Sequence, residues 1–210
     1  MNVVLGILGE IIAPTRCAAC EEQVAPRLLF CASCGISVLE AGPQPAGHHA
    51  VFAYGGAVAT AVVRLKYAGR VDLASRLGAV MAGALELLAA RVDVVVPVPL
   101  HASRLAERGF DQAALLAGPV ARELRTPRLA RALVRTRATP RQASLDRSAR
   151  NANVADAFGC PAPRVVAGKR VLLVDDVRTT GATLAACAAA LHASGASEVL
   201  TLVLASRERE

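Results

Sequence analysis

Short apolar runs alternate along the chain with longer stretches whose apolar residues recur at helical spacing. The clearest case is the β-branched and leucine run at 171–174, which leads through two aspartates into an apolar segment, 182–194, ended by Gly195. The run predicts a strand over 171–176 that is buried on both faces, and the segment predicts a helix. A further strand at 198–204 completes a strand-helix-strand order with a right-handed crossover. The pattern predicts an α/β fold with a parallel sheet flanked by helices.

The same pattern covers the middle of the chain. Pro97 and Pro99 end one buried strand. Residues 133–150 have no strong apolar period and predict a mobile arm. The remaining predictions are strands at 50–54 and 93–98, helices at about 57–66, 72–90 and 111–125, a loop at 100–112, and an edge strand at 151–158.

Four cysteines near the amino terminus have metal-ligand spacing: Cys17-x-x-Cys20 is followed after ten residues by Cys31-x-x-Cys34. Paired thiolates at this spacing close a tetrahedral Zn²⁺ site from two turns. The alternatives are a redox pair or separate buried thiols. Cys160 and Cys187 stand alone, and we interpret each as a small core residue.

The linker 42–47, rich in glycine and proline, divides the chain into a zinc-binding unit at 1–45 and a larger domain at 46–210. Residues 1–13 are apolar but lack a basic start and contain Glu10, which favours an amphipathic helix over an export signal. No apolar run reaches the length of a membrane span without a charge. We expect a cytoplasmic protein.

The segment that follows the strand at 171–174 has the chemistry of a sugar-phosphate site. Asp175 and Asp176 come at the carboxyl end of the strand, where open α/β sheets bind ligands. After them, Gly181 and the threonine hydroxyls of 179–183 precede a helix start, which offers unpaired N–H groups to an anion. Carboxylates would repel a bare phosphate, so ribose hydroxyls or a metal ion fit beside them. The alternative is an ordinary strand-helix turn.

Positive charge is concentrated in one window. Residues 101–150 hold eleven arginines against four acidic residues, which accounts for the whole net charge of +7. A pyrophosphate group or a nucleic-acid backbone would explain this charge. For the outer members Arg122, Arg125 and Arg128, a solvated surface is the better interpretation. Two tyrosines, four phenylalanines and no tryptophan provide few stacking platforms for single strands.

The string from Val171 to Thr183 resembles the phosphoribosyl pyrophosphate (PRPP) motif of type I phosphoribosyltransferases. The resemblance implies that Asp175 and Asp176 contact the ribose 2′- and 3′-hydroxyls and that the following turn holds the 5′-phosphate. The residues of this turn are Val177, Arg178, Thr179, Thr180, Gly181, Ala182 and Thr183. A relative that acts on hypoxanthine-type bases has a further aspartate where Thr179 stands here.

Nearly the whole chain, from Cys17 to about Ala205, resembles the ComF-type family of bacterial competence-associated, amidophosphoribosyltransferase-like proteins with a four-cysteine zinc finger. The motifs that carry this resemblance are Lys66-Tyr67-Ala68-Gly69-Arg70, Pro97-Val98-Pro99-Leu100-His101, Arg104-x-x-x-Arg108-Gly109-Phe110-Asp111-Gln112, Arg135-x-Arg137-x-Thr139-x-x-Gln142 and Arg150-Asn151-x-Asn153-Val154.

The resemblance implies a type I phosphoribosyltransferase fold with Mg²⁺-PRPP as ligand. Pro97, Val98 and Pro99 would belong to the pyrophosphate-side loop, with Arg104 and Arg108 near it. Arg135, Arg137, Thr139 and Gln142 would belong to a loop that closes over the site. Lys169 resembles a lysine that precedes the PRPP strand in many relatives, and a solvated turn lysine is an equal alternative.

Two functions follow. In the first, the protein is an enzyme that transfers the phosphoribosyl group to an unidentified nitrogen acceptor, with arginines neutralising the departing pyrophosphate. In the second, it is a non-catalytic scaffold that senses PRPP or a nucleotide and works in DNA uptake, where it binds single-stranded DNA or a partner of the uptake machinery. No histidine has the setting of a general base, and the oligomeric state is not specified by the sequence.

Overall fold

The computed structural model describes residues 14–85, 92–136 and 157–207. Its strands are β1 His48–Ala53, β2 Val94–Pro97, β3 Val134–Arg135, β4 Phe158–Gly159, β5 Arg170–Arg178 and β6 Glu198–Ser206. Its helices are α1 Ala32–Gly35, α2 Gly56–Tyr67, α3 Leu73–Gly83, α4 Ala102–Arg108, α5 Gln112–Glu123 and α6 Ala182–Ala193. None of these helices has the length and apolarity that crossing a membrane requires.

A parallel sheet with the strand order β1-β6-β5-β2 forms the centre of the molecule. All three of its strand pairs are parallel, as the strand-helix-strand pattern predicts. The register matters for the site: β2 pairs with β5 only as far as Pro97 opposite Val174, whereas β6 stays paired with β5 to Ser206 opposite Arg178. Among the described residues, the last part of β5, from Asp175 onward, therefore has one open edge, on the side of β2.

Each face of the sheet has its own apolar core. On one face, Leu65 of α2, Leu77 of α3 and Leu116 of α5 pack with Leu172 and Val174 of β5. On the other face, α6 packs against the alternate residues of the same strand through the fully buried Cys187 and its apolar neighbours. Each fully buried leucine contributes about 1.5–3 kcal/mol. The interpretation of Cys187 as a small core residue is confirmed.

The structure differs from the pattern in a loop and in an arm: a helix forms within the predicted loop, and Val134–Arg135, in the predicted mobile arm, forms β3. The stretch 100–112, expected to be a loop, contains α4, which is capped by the His101 side chain and closed by Gly109 with a φ of +78°. None of the seven residues of α4 is buried, so the helix has no apolar stripe to reveal it. Strands β5 and β6 also extend two residues beyond their predicted carboxyl ends.

Several predictions lie wholly or partly outside the described residues. They are the helix at 1–13, the end of the helix at 72–90, most of the arm at 133–150, and most of the edge strand at 151–158. Of the last, Phe158 lies in β4, which pairs antiparallel with β3.

The cysteine-containing segment packs directly on the larger domain. Cys17, Ala19 and Cys31 share a small apolar cluster with Ala57 of α2. A division of the chain at residue 45 stays a prediction, and the packing makes the two predicted units neighbours.

Candidate functional site

The two aspartates lie on the open-edged part of β5, and their side chains point to opposite faces of the sheet. Successive residues of a strand alternate in this way. Asp176 reaches Lys66 of α2, on the face of the larger helical layer. Asp175 lies on the face of α6, where its charge raises the pKa of the buried Cys187 thiol further than burial alone. The sequence alone placed the two carboxylates together, and the structure separates their side chains.

Asp176 is paired with Lys66. The Lys66 ammonium contacts Oδ2 of Asp176, whose side chain is 4% exposed, while that of Lys66 is 20% exposed. Lys66 belongs to the Lys66–Arg70 motif of the family resemblance but was not among the predicted site residues. The only signal was a basic residue that, like Arg64, stands in the last turn of a largely apolar helix.

Asp175 is held differently. Burial raises the pKa of its carboxyl group well above the usual range, the charge of Asp176 raises it further, and Lys66 opposes the shift. Its Oδ1 accepts a hydrogen bond of 2.8 Å from the backbone N–H of Asp176. The protonated form of Asp175 is therefore favoured over a wider pH range than for an exposed aspartate.

The turn after β5 is a candidate anion cradle. Gly181 has a φ of +84° and stands directly before α6, so glycine is the residue that fits there. Within the described part of the chain, no backbone acceptor is recorded for the N–H groups of Thr179, Thr180 and Thr183. The Ala182 N–H donates only a long hydrogen bond, of 3.4 Å, to Oγ1 of Thr180. Donors at a helix start attract a phosphate.

A cavity of about 1140 Å³ adjoins this cradle. The Thr179–Ala182 turn, the linker residues 42–45 and the alanine-rich face of α6 line it, together with His48 and Arg207. Arg178 joins the turn to the linker, because its Nη2 contacts Oε1 of Gln44. Neither aspartate lines this cavity. The cradle therefore borders two separate spaces: the open edge of β5, where the aspartates lie, and the cavity along α6.

The loop after β2 is fixed beside the open edge. The N–H of Val98 donates to the carbonyl of Val174 over 2.8 Å. The N–H of Leu100 donates to Oδ2 of Asp111 over 3.0 Å, while Oδ1 of the same side chain caps α5 through the N–H of Ala114. Residues 97–99, for which the sequence predicts a pyrophosphate-side role, therefore lie next to the strand segment that carries the aspartates.

Arg108 is attached to the end of α2. Its guanidinium donates to the hydroxyl of Tyr67 and to Oε1 of Gln112, both over 2.9 Å, and lies 4.7 Å from the centre of the Tyr67 ring. Since Tyr67 follows Lys66, this arginine and the lysine belong to one connected group. Arg104 lies one helical turn before Arg108 in α4, and its side chain is half-buried.

Arg135 of β3 lies between Phe158 and the charged groups of Arg104 and Asp175. Its guanidinium stacks 5.3 Å from the centre of the Phe158 ring. Burial lowers its pKa, the charge of Arg104 lowers it further, and Asp175 opposes the shift. Arg135 is therefore near both a predicted leaving-group arginine and an aspartate. The other predicted residues of the closing loop, Arg137, Thr139 and Gln142, lie outside the described residues.

Lys169 lies apart from this group. It directly precedes β5 at the amino end of the strand, while the aspartates and the cradle are at the other end. At about 3.3 Å per residue, some 20 Å separate it from Asp175. Its position supports the alternative interpretation as a turn lysine.

The four N-terminal cysteines come together. One sulfur atom from each of Cys17, Cys20, Cys31 and Cys34 lies within 4.8 Å of every other. The Sγ atoms of Cys20 and Cys31 are 3.6 Å apart. A tetrahedron with Zn–S bonds of ~2.3 Å has edges of ~3.8 Å, so the set fits Zn²⁺.

The thiols differ in acidity. Burial alone would raise the pKa of Cys17, but hydrogen bonds with the backbone at Cys20, Cys31 and Ala19 lower it to about 6. Hydrogen bonding with Cys20 and burial raise the pKa of Cys34 to about 12. A cation at the centre of the four sulfurs would favour the thiolate form of each.

Sequence comparisons identify relatives over most of the chain. A model of the phosphoribosyl transferase domain matches residues 111–210. The DNA utilization protein YhgH of Escherichia coli (strain K12) is 34% identical over 200 residues, covering 87% of this chain and 86% of that protein. Competence protein F of Haemophilus influenzae is 35% identical over 108 residues, or 51% of this chain and 47% of that one.

Among solved structures, the glutamine PRPP amidotransferase from B. subtilis, complexed with ADP and GMP, is 25% identical with a TM-score of 0.43. The match covers 62% of this chain, which spans about a quarter (26%) of the amidotransferase chain. The allosteric regulatory enzyme of purine biosynthesis gives a TM-score of 0.44 at 25% identity, covering 63% of this chain and 25% of its own.

Proposed function

The chain belongs to the ComF-type family of phosphoribosyltransferase-domain proteins, and we propose that it binds Mg²⁺-PRPP at the open edge of β5. The observation that carries this proposal is the anion cradle itself: Gly181 at positive φ, backbone N–H groups with no backbone acceptor among the described residues, and a helix start six residues after Asp176. A phosphate on the cradle leaves the attached ribose beside the carboxylates of Asp175 and Asp176.

Each group around the open edge of β5 has a role in this proposal. The turn 179–183 holds the 5′-phosphate, and Asp175 and Asp176 orient the ribose from the two faces of the strand. The loop 97–99 lies where the pyrophosphate would extend, with Arg104 and Arg108 to neutralise it. Asp175 and Asp176 would lie beside a Mg²⁺ ion that arrives with PRPP, and this ion would offset the charge of the leaving group.

We further propose that the bound sugar is transferred to a nitrogen acceptor. In this reaction the bond from ribose C1 to pyrophosphate breaks, the pyrophosphate leaves with the electron pair, a C1–N bond forms, and the proton of the acceptor nitrogen passes to water. The arginines stabilise the charge that develops on the leaving oxygens. His101 does not serve as a base in this proposal, because its Nδ1 accepts the N–H of Ser103 over 3.2 Å as the cap of α4.

The cellular role is proposed from the relatives. Proteins named for DNA utilization and for competence are similar to this chain, so we propose a function in the uptake or use of DNA. Unpaired cysteines and a PRPP ligand agree with action in the cytoplasm. The second candidate is a PRPP-sensing scaffold that binds single-stranded DNA. The position of His101 favours it, because Nδ1 of this side chain already accepts the N–H of Ser103 as the cap of α4.

Calorimetric titration with PRPP and Mg²⁺ tests the proposal, followed by pyrophosphate release over a panel of nucleobases and amines. We expect binding by the wild type, loss of binding by Gly181→Val, and unchanged binding by Arg122→Ala, a change on the exposed side of α5. Failure of PRPP to bind would refute the proposed function. Binding without release of pyrophosphate for any acceptor would leave only the sensing scaffold.

A further inference from the structure

The cysteine unit is joined to the sugar-phosphate site by a single helix. Helix α2 begins against the cysteine-containing segment and ends at Lys66 and Tyr67, whose side chains contact Asp176 and Arg108. Twelve residues of α-helix span about 18 Å. The two sites are therefore distant, and one rigid element contacts both.

The amino end of α2 is capped by the cysteine unit. Gly55, the residue at the cap position, has no side chain to accept a hydrogen bond, and Oγ of Ser37 accepts the N–H of Ala57 over 3.0 Å instead. The same hydroxyl donates to the carbonyl of Cys34 over 2.8 Å. A Cβ on Gly56 would lie 2.6 Å from Oγ of Ser37, so the approach requires glycine. The start of α2 thus depends on the backbone of a cysteine ligand.

The side of α2 is also held by the cysteine unit. Glu21, next to Cys20, pairs with Arg64 of α2 over 2.6 Å and with Arg70 after the helix. From α3, Nη1 of Arg76 donates to the carbonyl of Arg16 over 2.7 Å. These contacts bracket the first cysteine pair.

The body of α2 transmits position because it is tightly packed. Val58, Ala61, Val62 and Leu65 are buried, each at most 1% exposed. Packed interiors shift as units rather than deform continuously. A change at the start of α2 therefore reaches Lys66, which lies two residues beyond Arg64 and points to a different partner.

We propose that the four-cysteine unit controls the sugar-phosphate site through α2, with Lys66 as the positioning residue that fixes Asp176. Metal bound by the cysteines keeps Ser37 and Glu21 on the helix, the helix keeps Lys66 on Asp176, and the carboxylate is then oriented for the ribose. This inference rests on the proposed function. Coupling between two sites is reciprocal, so a ligand at the sugar-phosphate site strengthens metal binding by the same factor.

The test measures zinc release from the full-length, zinc-loaded protein into excess chromophoric chelator, with and without saturating ribose 5-phosphate. This probe carries the phosphate and sugar of the proposed ligand and has no pyrophosphate that chelates metal. Calorimetry measures its binding separately. We expect ribose 5-phosphate to slow zinc release by about 5-fold or more, the lower range of typical site-to-site coupling.

Variants separate the coupling from simple stabilisation. Ser37→Ala removes the cap without touching a cysteine or a ligand group, and we expect it to bind zinc but to lose most of the slowing. Lys66→Met should abolish the slowing and Lys66→Arg should restore part of it, because a second cation can pair with Asp176. Arg122→Ala, with its exposed side chain, is the matched control and should behave as the wild type.

The outcomes are distinguishable. If ribose 5-phosphate binds and zinc release is unchanged, the coupling is refuted and the proposed function stands. If ribose 5-phosphate slows zinc release from Lys66→Met as much as from the wild type, the proposed role of Lys66 is refuted. If neither ribose 5-phosphate nor PRPP binds the wild type, the proposed function fails and the coupling fails with it.

Discussion

Removing one partner of the Lys66–Asp176 pair has a calculable cost. Lys66→Met keeps the length and most of the volume of the side chain but leaves the Asp176 carboxylate, 4% exposed, without a cation. Breaking a buried pair from one side typically costs about 3–5 kcal/mol. Lys66 is one-fifth exposed (20%), so the lower end applies, and we expect about 3 kcal/mol. In a chain of this size that lowers Tm by about 6–12 °C.

The reverse change should cost less. Asp176→Asn leaves a lysine that can extend its ammonium group toward water, and we expect a loss of only about 1 kcal/mol. Urea unfolding of the zinc-saturated proteins at pH 7.5 measures both values from the midpoint at unchanged m. The double variant Lys66→Met/Asp176→Leu should recover most of the loss, because it leaves no buried charge. Equal costs for the two single variants, or less than about 1 kcal/mol for Lys66→Met, would refute this reasoning.

Three further predictions concern the turn, the second aspartate and the cysteines. Gly181→Ala places a side chain at a φ of +84°, and it should lower the free energy of unfolding by about 1–2 kcal/mol and weaken PRPP binding. A thermal melt measures the stability change, and an unchanged Tm would contradict the strain argument. Because the pKa of Asp175 is raised in the folded protein, its contribution to the free energy of unfolding falls as pH rises above about 4. The gain in Tm of Asp175→Asn over the wild type should therefore grow from pH 4 to 8. A gain that is the same at every pH would contradict the raised pKa. Metal analysis should find about one Zn²⁺ per chain, lost in Cys17→Ser/Cys20→Ser; a metal-free folded wild type would contradict the zinc assignment.

The sequence predicted what local patterning determines. The strands at β2, β5 and β6 were predictable because β-branched runs such as Val94–Val96 are buried on both faces and have no helical period. The cysteine site was predictable because its ligand spacing is local, and the cradle because Gly181 and its threonines adjoin in sequence. Helix α4 was missed since it buries nothing.

What the sequence left out is pairing across the fold. Lys66 and Asp176 are far apart along the chain, and no local pattern joins a helix-end lysine to a strand aspartate. The separation of Asp175 from Asp176 by the sheet follows from strand alternation, but only once β5 is known to continue past both residues. A strand ending at residue 174 would have left both side chains free to turn to one side.

The Lys66–Asp176 ion pair and the placement of Asp175 on the other face of the sheet explain how the proposed phosphate site can lie beside two carboxylates. One carboxylate, Asp176, is neutralised by Lys66, and the other, Asp175, is buried so that its protonated form is favoured. The pair therefore presents far less negative charge than two exposed aspartates would, while its oxygens keep their hydrogen-bonding capacity. The N–H groups of the adjoining turn, which have no backbone acceptor in the described part of the chain, would then attract an anion with less opposition. Since the negative charge of each aspartate is reduced from a different face of the sheet, the side-chain alternation of β5 would allow the proposed phosphorylated sugar to bind at the end of this strand.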